Sequence, residues 1–168
     1  MNDGSTTSLV AVEGRFQRAF LALGICVKAF AHTTRVIGLD ACHIKAAYGG
    51  ALLVMTILDG NGQVFPGALA VAESENVQTW RWFLSHVRTA FALDDGRGVV
   101  VLSDREKGID IALVELLPSA THSFCVYHIM KNVKTRFHTS LNGLLFAAAN
   151  APTVDGFNQI MRQSRTSM

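Results

Sequence analysis

Cysteine is scarce in this sequence: Cys26, Cys42 and Cys125 are the only three in 168 residues. So odd and widely spaced a set makes no disulfide framework, and it fits a reducing compartment. Charge is sparse as well. Lys and Arg number 15 and Asp and Glu 13, a net +2 that is too mild to mark a nucleic-acid binder by itself. No apolar run reaches the roughly 20 residues of a membrane helix, so no membrane partner is expected. The opening MNDGSTTSLVAVEG lacks the basic start and apolar core of a secretory signal. Repeats, low-complexity tracts and linkers are missing too. The expectation is therefore a flexible N-terminus over 1–14 and a single domain over 15–168. What the chain has in quantity is apolar side chains, 49% of residues with a mean hydropathy of +0.28. That excludes disorder and suggests apolar faces that belong against a partner or a further segment.

The organising stretch is RVIGLDACHIKAAY, from Arg35 to Tyr48. Val36, Ile37 and Leu39 make an apolar run of strand length that closes on Asp40. A carboxylate there is costly to bury without a partner, such as a metal ion or a basic side chain. The pattern returns in GVVVLS, which ends on Asp104 and is followed by Arg105, Glu106 and Lys107.

Between and around these runs the periodicities predict a succession of elements. Phe16, Phe20 and Leu23, spaced by four and three, predict a helix over 15–31. Ala51 to Leu58 is a second strand, followed by the turn DGNG and a third strand over 63–72. Pro66 inside the third strand implies an edge or a bulge. Val77, Trp80, Phe83, Leu84, Val87 and Phe91 mark a helix over 75–93, with Ser74 as its cap and Trp80 in the core. A fourth strand at 99–102, a helix at 109–117, a short strand at 122–125 and helices over 127–137, 141–150 and 155–163 complete the chain. Thr153 caps the last of them. This order matches a ribonuclease H-like α/β fold: a mixed five-stranded sheet flanked by helices, with first and fourth strands adjacent.

In such a sheet Asp40 and Asp104 come together. Two-metal phosphoryl transfer needs carboxylates of this kind at this place. A single strand-end Asp is more often a solvated or salt-bridged turn residue; the pair in this topology favours metal binding. Lys45, Arg105 and Lys107 flank the two acids and would bind phosphates or simply pair charges. Beyond Thr121, five basic residues stand against one acid, Asp155. Lys131 and Lys134 among them are candidate phosphate contacts, although such a run is commonly a solvated helix face. Cys125 and His128 have Cys-x-x-His spacing, half of a zinc site. No second closely spaced pair completes it, so a buried Cys with a helix-capping His is preferred and zinc is not expected. His32, His86, His122 and His138 form no usable pattern.

Four blocks together resemble the catalytic domain of Mutator-like element (MULE) transposases: LDACHIKAAYGG, FPGALAVAESENVQTWRWFL, VVLSDREKGI and FCVYHIMKNVK. They stand in the family's order, and the resemblance covers about Arg15 to Met161. It implies a DDE-type metal site on a ribonuclease H-like core. It implies Mg²⁺ or Mn²⁺, and DNA cleavage and strand transfer at transposon ends into target DNA. Asp40 and Asp104 match the first and second catalytic acids, and Cys125 and His128 the family's Cys-x-x-His signature. A nuclear location follows from the DNA substrate, and a homo-oligomer is left open. The chain departs from the pattern in one respect. The family's catalytic Glu lies well beyond the Cys-x-x-His block, past a helical insertion, and here no Glu follows Glu115. Asp155 falls where that insertion would start. The expectation is a domain incomplete at its C-terminus and weak or inactive. The alternative is a transposase-derived DNA-associated or regulatory protein without catalysis.

Overall fold

The structure, a computed structural model, describes residues 3–46, 49–105, 107–138 and 141–166. The chain divides into two compact units, Met1–Ser123 and Phe124–Met168, where the sequence suggested one domain.

The first unit is built on a mixed sheet of seven strands in the order β1-β2-β5-β4-β3-β6-β7. β3 (Val36–His43), β4 (Ala51–Leu58) and β5 (Val64–Ala72) are the expected antiparallel meander. β6 (Val100–Ser103) lies parallel to β3, and β7 (Thr121–Phe124) lies beside β6. The five expected strands are therefore contiguous, but the sheet does not stop there.

The extra strands overturn two expectations. Residues 6–12 are not loose, because Thr6–Val12 is β1. Nor is 15–31 a continuous helix: Arg15–Ala22 is β2, and the helix α1 is confined to Gly24–Phe30. Glu13 (φ 51°) and Gly14 (φ 75°) form the two-residue turn between β1 and β2, both in the left-handed region that a tight hairpin of the primed type requires. β2 then pairs with β5 from Ala19–Val71 to Ala22–Ala68. Phe20 and Ala22 face the core while Leu21 points out, the two-residue period of a strand. The four-three spacing of Phe16, Phe20 and Leu23 imitated a helix; Phe16 and Leu23 are in fact exposed.

One face of the sheet is closed by α2 (Val77–Ala90) and α3 (Lys107–Leu116). β4 alternates buried and half-buried along its whole length, with Leu53, Met55 and Ile57 inward. These meet Trp80, Phe83, Leu84 and Val87 of α2 and Ile109, Ala112 and Leu113 of α3 in one core. Burying each such large side chain contributes about 1.5–3 kcal/mol. Trp80 is fully buried, as expected, and its indole N–H donates to Glu75 at 3.2 Å. The cap of α2 is Asn76 rather than Ser74; its side-chain oxygen accepts from the Thr79 N–H at 3.0 Å, and Ser74 supports it by accepting from the Asn76 amide at 2.8 Å.

Pro66 sits at a bulge, one of the two options its sequence position allowed. Met55 pairs with Ala68 and Thr56 with Pro66, leaving Gly67 as the extra residue. A Cβ on Gly67 would lie 2.4 Å from Met55 Cε, so a larger residue there would push the buried Met55 side chain aside.

The second unit is helical: α4 (Val126–Phe137), α5 (Asn142–Ala149) and α6 (Val154–Thr166). Leu141 and Ala148 are its buried apolar residues among those described. Thr153 caps α6 as expected, accepting from the Gly156 N–H at 3.1 Å. No helix among the described residues is long and apolar enough to cross a membrane.

Candidate functional site

The site is set by the register of two parallel strands. β3 and β6 pair Val36 with Val100, Ile37 with Val101 and Gly38 with Leu102. Continued by two residues beyond its last pair, this register would set Asp40 level with Asp104, which lies one residue past β6. Adjacent strands stand about 4.8 Å apart, and residues paired in this way project to the same side of a sheet. That side is the one turned away from α2 and α3. Ile37, Leu39, Val101 and Ser103 point into the core, whereas Asp40 is exposed and Asp104 half-buried.

Asp40 also ends a row that crosses the sheet. It pairs with Val54, Val54 with Leu69, and Leu69 with Leu21. The carboxylate thus stands at the border of a half-exposed apolar face. One of its oxygens, Oδ1, accepts the Ala41 N–H at 2.9 Å. Asp104 follows the last residue of β6, and its backbone carbonyl accepts the Ser103 hydroxyl at 2.7 Å. β3 does not end at Asp40, as the sequence suggested, but runs three residues further to His43, so one carboxylate stands within β3 and the other just past β6. Carboxylates are hard oxygen donors, which suit Mg²⁺ or Mn²⁺ far better than a soft metal. Water and substrate phosphate ordinarily complete such a site. Among the described residues no group of three or more His, Cys, Asp or Glu side chains converges as a metal site.

Of the flanking basic residues, Lys45 and Arg105 are exposed beside their respective acids. Lys107 is the first residue of α3, and its side chain lies outside the described residues, as does Glu106. Glu115, the last Glu of the sequence, is held elsewhere: its carboxylate is gripped by Arg81 of α2 through two guanidinium nitrogens. That contact, with burial opposing it, holds the Glu115 carboxyl below the ordinary glutamate range.

Cys125 and His128 belong to the second unit. Cys125 is the N-cap of α4 without a side-chain capping bond, and His128 lies in the first turn against Tyr127, with ring centres 5.9 Å apart. Both are half-buried. Cys42 and His43, successive residues of β3, point to opposite faces. On α4, Lys131 and Lys134 are exposed and line a hollow of about 250 Å³ with Tyr127, Met130 and Asn142.

Sequence reasoning passed over His122. Its Nε2 lies 2.8 Å from the Ser103 hydroxyl and its Nδ1 3.4 Å from Asp110 of α3, next to the site. The signal was a short strand, THSF, that had to lie beside the strand ending in Ser103 and Asp104. No spacing within the sequence pairs residues 103 and 122.

No curated protein matches the chain. Among family models, that of the MULE transposase domain matches residues 36–132. The match opens on the first residue of β3 and closes inside α4. It therefore contains Asp40 and Asp104, the parallel pairing of β3 with β6, and Cys125 and His128. It spans more than half of the 168 residues, and on that extent this chain belongs to the MULE transposase domain family.

Proposed function

We propose that the first unit is a ribonuclease H-like transposase core in which Asp40 and Asp104 hold the metal for DNA strand cleavage and transfer. The observation that carries this reading is the parallel β3–β6 pairing, whose register, extended by two residues, would set Asp40 beside Asp104. The strand order from β5 to β7 supports the fold assignment. Bound Mg²⁺ or Mn²⁺ would supply activation of the attacking oxygen and stabilisation of the leaving oxygen. The protein's own part is to present two fixed carboxylates on an open sheet face, where a DNA phosphodiester can approach. Lys45 and Arg105 would steer the phosphate backbone toward them. The DNA substrates are transposon ends and target, and the work would be nuclear.

Among the described residues Glu115 pairs with Arg81, and this reading assigns two acids rather than three to the metal, so this polypeptide alone is expected to cleave weakly or not at all. That observation favours a second reading, a transposase-derived DNA-associated protein that binds without cutting.

Calorimetry with Mn²⁺ on the purified chain, beside Asp40→Ala and Asp104→Ala, tests the first reading. Binding lost in both variants supports the two-carboxylate site. Cooperative folding with unchanged Mn²⁺ binding in both would sink it. DNA binding that ignores both substitutions and needs no metal would establish the second reading.

A further inference from the structure

Asp104 stands one residue past the end of β6, where the ladder no longer holds the backbone. Something else must fix it if its carboxylate is to stay level with Asp40. Ser103 is only 1% exposed, and its hydroxyl donates to the Asp104 carbonyl at 2.7 Å. A hydroxyl has one hydrogen, and with it directed to the carbonyl the oxygen is left as an acceptor. In that arrangement the 2.8 Å contact between Ser103 Oγ and His122 Nε2 is an N–H donated by the imidazole. This assigns a hydrogen to Nε2, from the network rather than from direct observation. Asp110 Oδ1 faces the other ring nitrogen at 3.4 Å and forms an ion pair with the ring when both nitrogens carry hydrogen. β7 is kept alongside by the Thr121 N–H, which donates to the Val99 carbonyl at 2.9 Å.

The order Ser103, His122, Asp110 has the outline of a hydrolase triad, but the chemistry runs the other way. The serine oxygen is sealed in the core, and its hydrogen points at a carbonyl instead of being withdrawn by the imidazole. No substrate can reach it. What the three residues do is tie the first turn of α3, the strand β7 and the end of β6 to one point, the peptide that follows Asp104.

We propose that His122 and Ser103 are positioning residues for Asp104, holding its backbone so that its carboxylate stays in register with Asp40. This rests on the reading of Asp104 as a metal ligand. Groups that orient metal ligands at one remove typically change metal affinity 10–100-fold when lost.

The test is Mn²⁺ binding by the full 168-residue chain, with Ser103→Ala, His122→Ala and His122→Gln beside Asp104→Ala. Ser103→Ala and His122→Ala should weaken binding by roughly 10-fold, the low end of that range. His122→Gln keeps an N–H that can reach Ser103 and should restore most of the affinity, which a merely bulk-stabilising role would not predict. In the unsubstituted chain, the His122 ring resonances should move on titration with Mg²⁺, a readout that does not depend on any variant folding. Wild-type affinity in Ser103→Ala and His122→Ala, with binding lost in Asp104→Ala, overturns the positioning role and leaves the metal site standing. His122 resonances that stay still through Mg²⁺ saturation overturn it too. Unchanged binding in Asp104→Ala brings down both readings together.

Discussion

Gly38 makes room for Thr56. The two residues are directly paired across β3 and β4, and a Cβ on Gly38 would lie 2.4 Å from the threonine Oγ1. The threonine hydroxyl also reaches the Gly38 carbonyl at 3.4 Å. A glycine inside an apolar strand is thus a local fit, two residues from Asp40. Gly38→Ala should destabilise the protein by about 1–3 kcal/mol, the usual cost of overpacking. Thr56→Ala in the same chain removes the clashing oxygen and should return most of that loss. Urea unfolding of the single and double variants measures both; equal losses in the two would show that the clash lies elsewhere.

The start of α2 depends on Asn76, not on the serine the sequence pointed to. Asn76→Ala leaves the Thr79 N–H without its partner and should cost about 1 kcal/mol. Ser74→Ala removes only a bond to the capping amide and should cost less. Thermal melts of the two variants will rank them.

Acid should weaken the first unit through Glu73. Arg18 of β2 donates to its carboxylate, Nε at 2.8 Å from Oε2, and a second guanidinium nitrogen joins. This bond, against the opposing effect of burial, lowers the Glu73 carboxyl from its ordinary 4.5. A lowered carboxyl contributes stability that is fully present above the ordinary value and is lost as pH falls through the lowered one. Glu73 is partly open to water, so the contribution should stay within about 1 kcal/mol. Glu73→Gln should lie below wild type at neutral pH and converge with it as pH drops beneath about 4.5. Asp95, lowered first by the Ser119 hydroxyl, acts in the same direction.

Lys131 and Lys134 offer charge in the hollow beside Tyr127. If they contact DNA phosphates, replacing each with Ala should reduce the slope of log affinity against log salt by about 1, evenly across sequences. Filter binding at several salt concentrations reads this directly. An unchanged slope would make them a solvated helix face.

The sequence showed β3, β4 and β5 plainly because their faces alternate and their turns carry glycine. It showed the parallel partner as a β-branched run ending on a second Asp. What it hid was decided by pairing at a distance. β2 is a strand because β5 offers it a partner, and its three-four apolar spacing says nothing about that. The turn at Glu13 and Gly14 lacks the Asn or Asp that usually announces a hairpin. Asp40 and Asp104 could be singled out because an acid after an apolar run is a local feature, although β3 runs on past Asp40 to His43. The His122 contact was not, because it joins β7 to β6 across a helix and two loops.

The β1–β2 hairpin also separates the inherited module from the folding unit. The family match starts at Val36, yet Phe20, Ala22 and Phe30 are core residues from before it. A fragment cut at the homology boundary would keep both acids and lose the strand that covers β5. It would carry a naked edge at Leu69 and Val71, open to pairing with any extended peptide. Protection of the β5 edge therefore comes from residues that lie outside the 36–132 family match.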